Sequence, residues 1–307
     1  VLRRNCEGFF SCLSGGFRSR WICAPSHTDA RLASRTMADA SAPPAAGAPT
    51  EPAGPTPFQQ KSPYYAKRIE LFEKYFAREG EKQEAAKLTN ETIQVVMPDG
   101  AIKEAVRNVT TPWDIAMGIH KKLAQASLLA HVDGGDWDMR RPLEGDCSLK
   151  LFSFDDPEGK ELYWHSSAHV LGEALELEYG ADLTIGPSIE EGFYYDCFLG
   201  ERTLSDHERD AIQSRMEKIF KEKQPFLRIE VTREEALEMF TENKFKVELI
   251  TNLPEDARIS CYRCGPMVDL CRGPHLPDTA WIKSVSVNQV RICISQIPRL
   301  FCFPIQG

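Results

Sequence analysis

The chain has 307 residues, 42% apolar and 27% charged, with a net charge of -8. That is ordinary globular composition with room for about two domains. The acidic balance excludes general attraction to phosphate, so any nucleic-acid partner must meet lysines and arginines gathered locally. No apolar run approaches the ~20 residues that cross a bilayer, so no membrane partner is expected. Of ten cysteines, three fall in the first 23 residues and two in the last 15. Such uneven spacing argues against a secreted disulfide framework and for free thiols in a reducing compartment.

The first residue is Val1, and residues 1–36 carry Arg3, Arg4, Arg18, Arg20, Arg31 and Arg35 against only Glu7 and Asp29. Two readings are open: an organelle transit peptide, or leader ahead of a start at Met37. Residues 37–61, rich in Ala, Pro, Gly and Thr, offer too little apolar surface to offset ordering entropy and are expected to form a flexible linker. A helix is expected over 62–87, with Pro63 in its first turn and Tyr65, Ile69, Phe72 and Phe76 as an apolar stripe.

Between residues 91 and 155 the pattern changes. Ile93, Val95 and Met97 alternate with polar residues, Pro98-Asp99-Gly100 is a turn, and 101–106 returns as a second strand. Thr111-Pro112 opens a helix through Ile115, Ile119 and Leu123, and further strands are expected near 128–132 and 148–154. Strand, strand, helix, strand, strand in so short a span predicts a β-grasp. An α+β domain follows, over about 160–289. Its first helix is expected from Ser166 to Tyr179, stopped by Gly180. Capping boxes at Ser205/Glu208 and Thr232/Glu235 open two more helices, and 245–250 (FKVELI) reads as a strand.

His165 and His169, in HSSAH, sit about 40° apart on one helical face, away from the stripe of Ala168, Leu171 and Leu175. Gly172 beside them leaves room for a close approach. Two such imidazoles can bind a metal or serve as acid and base on one substrate. Downstream, YRCGPMVDLCRGPH brings Cys261, Cys264, Cys271 and His275 close together in sequence. Three readings remain open on spacing alone. Those four are a structural zinc set, or only Cys271 and His275 join the helical histidines, or the cysteines are buried and unreactive.

HSSAH, GFYYD, FKVELI and YRCGPMVDLCRGPH, in this order, resemble the N-terminal editing region of threonyl-tRNA synthetases. The β-grasp with VMPDG and WDMRRPLEGD resembles that family's TGS domain. The likeness spans about residues 62–289, the 62–87 helix resembling the eukaryotic extension ahead of the TGS domain. It implies an α+β architecture in which a ubiquitin-like β-grasp precedes an editing domain. It also implies a chemistry. Serine lacks one methyl of threonine, and a methyl contact is worth only ~1–3 kcal/mol, so a second site must hydrolyse seryl-tRNA(Thr). By matched position, the resemblance gives His165 the orientation of terminal ribose and water, with His169, Cys271 and His275 completing the cluster. It gives Lys246 the stabilisation of developing negative charge, Asp269 the substrate amino group, and Tyr195 a place in the substrate pocket.

The resemblance further implies tRNA(Thr) as partner and water-mediated hydrolysis without an obligatory metal. Zinc on His165, His169, Cys271 and His275 is the alternative. ATP, Mg, a threonine-reading zinc and the homodimer interface belong to a family core without counterpart in these residues, so this chain is not expected to aminoacylate tRNA by itself. A non-catalytic RNA- or protein-binding module and a structural zinc domain are the competing functional readings. The location implied is cytoplasmic, with a mitochondrial or dual destination if residues 1–36 act as a targeting signal. Arg215, Lys218, Lys221, Lys223 and Arg228 are candidates for phosphate contact or simply a solvated mixed-charge face. The likeness stops at Val290, which a retained intron would explain. On that reading the editing domain lacks its last strand or two and exposes an edge.

Overall fold

The computed structural model describes residues 57–190, 192–201, 204, 206–292 and 298–303. The leader reading of residues 1–36 and most of the linker reading lie outside them. The described part opens with helix α1, Pro57–Thr89, which begins earlier than expected and carries Pro63 in its interior. The last residues assigned to the linker are therefore helical. Lys61 is tied to Asp182 at 2.5 Å, which anchors the turn before the proline.

The buried stripe of α1 is also displaced from the predicted one. Tyr64, Tyr65, Arg68, Leu71, Phe72 and Tyr75 are buried, whereas Phe76 is 41% exposed. Leu71, Phe72 and Tyr75 pack against the α+β domain, with Ile229, Phe240 and Cys261 among their neighbours. The periodicity was correct, but the burial of Arg68 shifts the inward face.

The β-grasp follows as β1 (Thr92–Val96), β2 (Ile102–Val106), α2 (Pro112–Ile119), α3 (Lys121–Ala126), β3 (Leu129–Val132), β4 (Gly135–Trp137) and β5 (Cys147–Phe152). Its sheet order is β2-β1-β5-β3-β4, with β1 and β5 parallel at the centre. Gly100, at φ +83°, makes the β1–β2 turn that only glycine adopts easily. The single helix expected after Thr111 is two. The His120 backbone N–H closes α2 on Ala116, and its side chain accepts from Lys122 N–H to open α3. An imidazole serving as N-cap is what a pattern of apolar spacing does not register.

The α+β domain is built round α4 (Pro157–Tyr179), which starts well before the predicted Ser166 and ends at Gly180 in the left-handed region. It is followed by β6 (Asp182–Leu183), β7 (Ser188–Ile189), β8 (Gly192–Phe198), α5 (Arg209–Glu222), β9 (Phe226–Val231), α6 (Arg233–Met239), α7 (Lys244–Thr251), β10 (Ile259–Cys264), β11 (Met267–Leu270), β12 (Ser286–Ile292) and β13 (Pro298–Phe303). Strands β11-β10-β9 form one antiparallel sheet, and β12-β13-β8-β6, with β7 beside β8, form another. Helix α4 packs on α1, α5, β8 and the β10–β11 hairpin. It is consequently buried almost all round and is not amphipathic.

Residues 245–250 are a helix, not the predicted strand. The Asn243 side chain accepts from the backbone N–H groups of Phe245 and Lys246, and this N-cap overrides the apparent alternation. The Thr232/Glu235 capping box is present. Before α5 the chain instead passes through a short 3₁₀ turn at 206–208, with Glu208 at the N-cap position and no side-chain cap bond. Ser205 lies outside the described residues. Residues 298–303, which the retained-intron reading places outside the domain, form β13, antiparallel to β8 from Arg299↔Asp196 to Cys302↔Phe193.

Candidate active site

Helix α4 carries His165, Ser166 and His169, and the loop after β11 carries Cys271 and His275. The Cys271 thiol lies 3.2 Å from His165 Nε2 and 3.3 Å from His275 Nε2. The His165–His275 and His169–His275 ring centroids are 4.4 and 4.2 Å apart. One donor atom from each of His165, His169, Cys271 and His275 lies within 4.8 Å of all the others. Sequence distance between the two halves is closed by α4 packing against the β10–β11 hairpin.

Burial sets the charge of this cluster. It pushes His165 down to about 4 and His169 down to about 3, despite the opposing pull of Asp269. Burial and the other two imidazoles hold His275 well below the usual histidine range. Burial pushes the Cys271 thiol up to about 12. At neutral pH the group is three neutral imidazoles and a thiol. Ser166 Oγ accepts from the Leu276 N–H at 3.0 Å and lies 3.1 Å from His275 Nδ1. The serine hydroxyl thus fixes the orientation of the His275 ring from its Nδ1 side, with Nε2 facing the sulfur.

An ion pair with a tyrosine bonded to it adjoins the cluster. Lys246 Nζ is 2.6 Å from Asp269 Oδ1, Tyr195 O–H donates to Asp269 Oδ2, and His169 Nε2 is 3.9 Å from that same oxygen. All three of Lys246, Asp269 and Tyr195 are buried. Burial works against the Asp269 charge, but Lys246 and the Tyr195 hydrogen bond outweigh it and hold the carboxyl below the usual range. The N-terminal turn of α7, forced by Asn243, is what delivers Lys246 here. The room left by Gly172 is filled by Tyr195: a Cβ there would lie 2.8 Å from its ring, and one at Gly186 would also collide with it.

The structure thus brings together His165, His169, Cys271, His275, Lys246, Asp269 and Tyr195. It does not bring Cys261 and Cys264 to them. Cys261 is packed among apolar residues with Ile229 and Val268, and Cys264 donates to Gln224 Oε1 at 3.3 Å. Among the described residues the metal-capable cluster of histidine, cysteine and acidic residues is the His165, His169, Cys271 and His275 set. The structural-zinc reading on Cys261 and Cys264 is overturned, because the two cysteines, three residues apart on β10, face opposite sides of the strand and neither joins the cluster, whose cysteine is Cys271 in the loop beyond β11.

The phosphate candidates also separate. Arg215 is bound to Glu178 at 2.5 Å and Arg228 to Glu230 at 2.6 Å. Lys218, Lys221 and Lys223 are exposed. Residues the sequence did not single out are Ser166, which lay in plain view inside HSSAH, and Asp138, Glu173, Gln224 and Tyr262, which no local pattern marks.

Residues 93–153 match the family described as TGS domain, and residues 259–289 match the threonyl and alanyl tRNA synthetase second additional domain. The chain is 54% identical over 220 residues to the mitochondrial threonine–tRNA ligase 1 of Arabidopsis thaliana, an overlap covering 71% of this chain and 31% of that protein. It is 46% identical over 231 residues to the probable cytoplasmic threonine–tRNA ligase 1 of Dictyostelium discoideum, covering 75% and 32%. The chain is homologous to the N-terminal region of threonyl-tRNA synthetases.

Against the human cytoplasmic threonine–tRNA ligase 2 the identity is 47% over 199 residues, covering 65% of this chain and 25% of that protein. The chain therefore spans about a third or less of the synthetases it matches. The second-domain match ends at residue 289. Synthetases named for the cytoplasm and for mitochondria are both among the relatives. Among the described residues no helix is long and apolar enough to cross a membrane.

Proposed function

We propose that this chain carries the editing site of a threonyl-tRNA synthetase and hydrolyses tRNA(Thr) mischarged with serine. The observation that carries the reading is the convergence of His165, His169, Cys271 and His275 into one cluster directly beside the Lys246–Asp269–Tyr195 trio. In ester hydrolysis, water oxygen bonds to the ester carbonyl carbon and the bond from that carbon to the ribose oxygen breaks. One water proton ends on the released ribose hydroxyl.

The cluster's neutral imidazoles accept hydrogen bonds from water and ribose without desolvating a charge. His165, the most open of the three histidines, is assigned to orient both. Lys246 supplies the positive charge for the oxyanion that develops at the carbonyl. Asp269 meets the substrate ammonium by exchanging one of its two present partners. Tyr195, fixed between Gly172 and Gly186, is assigned to the pocket wall.

Purified chain is expected to deacylate seryl-tRNA(Thr) faster than threonyl-tRNA(Thr), and His165→Ala to abolish it. Unchanged hydrolysis in that variant removes the catalytic assignment. Tight tRNA binding without hydrolysis by the wild type favours a binding module instead. Aminoacylation, with its ATP and Mg, is proposed for the whole protein of the family and assigned to no residue of this chain. We place the protein in the cytoplasm, and in mitochondria as well if residues 1–36 direct it there.

A second reading puts zinc on the same cluster, favoured by the mutual spacing of its four donor atoms. Neutral imidazole is the ligating form, and Ser166 already orients His275 from behind. His169 Nδ1, by contrast, has no protein partner. Bound zinc would polarise a water or the ester carbonyl. One zinc per chain, lost in Cys271→Ser, supports it, and hydrolysis unaffected by chelation overturns it.

A further inference from the structure

The loop that carries Cys271 and His275 is held from outside its own domain. Asp138 follows β4 in the β-grasp. One of its carboxylate oxygens, Oδ1, accepts the backbone N–H of His275 at 2.9 Å, and the other, Oδ2, accepts the Tyr262 O–H at 2.7 Å. Tyr262, on β10, is itself fully buried and stands edge-on to the His275 ring, with centroids 4.6 Å apart. Between them the backbone of Gly273, at φ +69°, presses so closely on the Tyr262 hydroxyl that a Cβ there would collide with it. A single carboxylate thus holds the end of this tightly turned segment directly, through His275 N–H, and its middle indirectly, through the Tyr262 hydroxyl that packs on Gly273.

Other contacts fix the β-grasp on the same side. Trp113 meets Trp281 edge-to-face at 6.2 Å between centroids. Arg141 lies 3.7 Å from Glu230 on β9. These contacts make the position of Asp138 relative to the loop a property of two packed modules and not of one flexible side chain.

We infer that the β-grasp is a structural part of the hydrolytic site, and that Asp138 is a positioning residue which sets the Cys271–His275 loop against His165 and His169. The inference rests on the deacylase reading for its effect on rate, but its geometry stands apart from that reading. The hydrogen bonds of Asp138 go to the His275 backbone and to Tyr262, not to the cluster side chains. Asp138 acts through those two partners. A carboxylate suits the place because it can accept from two donors at once, whereas alanine accepts from neither.

The test uses the full chain. Hydrogen exchange at the His275 amide and the 271–276 segment is compared in wild type, Asp138→Ala, Asp138→Asn and Tyr262→Phe. Exchange there should accelerate in Asp138→Ala. It should stay near wild type in Asp138→Asn, whose amide oxygen can still accept from His275 N–H and whose amide hydrogens can meet the tyrosine oxygen. Single-turnover hydrolysis of seryl-tRNA(Thr) should fall by about 10²-fold in Asp138→Ala, the scale of loss for a misplacement of about 1 Å, with KM little changed.

Unaltered exchange in both Asp138→Ala and Tyr262→Phe overturns the inference whatever the activity. Equal damage in Asp138→Asn and Asp138→Ala overturns it too, because charge and not hydrogen bonding would then be at issue. If Asp138→Ala does not fold, Tyr262→Phe and Asp138→Asn decide the matter, with partial loosening of the loop expected in the first. An inactive wild type with a loop that loosens in Asp138→Ala counts against the deacylase reading alone.

Discussion

Glu173 lies one turn beyond His169 on α4 and is fully buried. Gln224 donates to its Oε1 at 2.9 Å, and its Oε2 has no protein partner. Burial, eased only partly by the Gln224 hydrogen bond, pushes this carboxyl up from 4.5 to about 8. The folded protein therefore keeps a proton that the unfolded chain releases above pH 4.5, so the stability it contributes is full below that pH and lost as pH rises through 8. Glu173→Gln should be more heat-stable than wild type at pH 8, by an amount worth on the order of a few kcal/mol, and near equal to it at pH 5. Parallel melting curves for the two proteins from pH 5 to pH 8 would show the proton is not held.

Lys246 and Asp269 make the opposite case, a buried pair in which each charge depends on the other. Lys246→Met leaves the Asp269 carboxylate in the interior with Tyr195 as its remaining close donor. The expected loss is about 3–5 kcal/mol, and Lys246→Met with Asp269→Asn should recover much of it. Denaturant titration of the two variants checks this; a double variant no more stable than the single one argues against the pair as the source. The candidate positions were named from HSSAH and CRGPH, and the fold brings those side chains together. Their chemistry was not legible there, since three neutral imidazoles follow from burial, which the sequence does not state.

At the scale of elements, α1 shows how periodicity and packing part company. A stripe of Tyr65, Ile69, Phe72 and Phe76 reads well on a helical wheel. The structure turns the helix so that Arg68 faces inward, where it grips Glu176 on α4 through two hydrogen bonds of 2.8 and 2.6 Å. Its guanidinium also lies 5.4 and 5.0 Å from the Tyr64 and Tyr65 ring centroids. Phe72→Ala should cost about 3–5 kcal/mol by opening a cavity. Phe76→Ala, at a position 41% exposed, should cost under about 1 kcal/mol. Equal losses in chemical denaturation would restore the predicted stripe. Residues 245–250 failed for a related reason: alternation over six residues cannot separate a strand from a short helix, and the deciding signal was the Asn243 cap just outside the run.

At the scale of the molecule, the described residues form one compact unit, although two family matches divide the sequence within it. The β-grasp and the α+β domain share the Asp138 contacts and the Trp113–Trp281 pair. Calorimetry should show a single unfolding transition, and Trp281→Ala should separate it into two. Two well-resolved transitions in the wild type would mean that the modules unfold independently.

The sequence by itself determined four of the five β-grasp strands and the capped starts of α2 and α6, which rest on neighbours a few positions apart, where turn chemistry and capping act. The joining of His165 and His169 to Cys271 and His275 came from the family resemblance, spacing alone having left it open. Only the tertiary structure decided that Cys261 and Cys264 stand away from the cluster, that α4 is buried almost all round, and that Tyr195 fills the space beside Gly172. It also set α1 against the α+β domain and a β-grasp carboxylate on the His275 loop. These depend on which surfaces exclude water from one another across a hundred residues or more, and burial of that kind is a property of the packed chain, not of any segment of it.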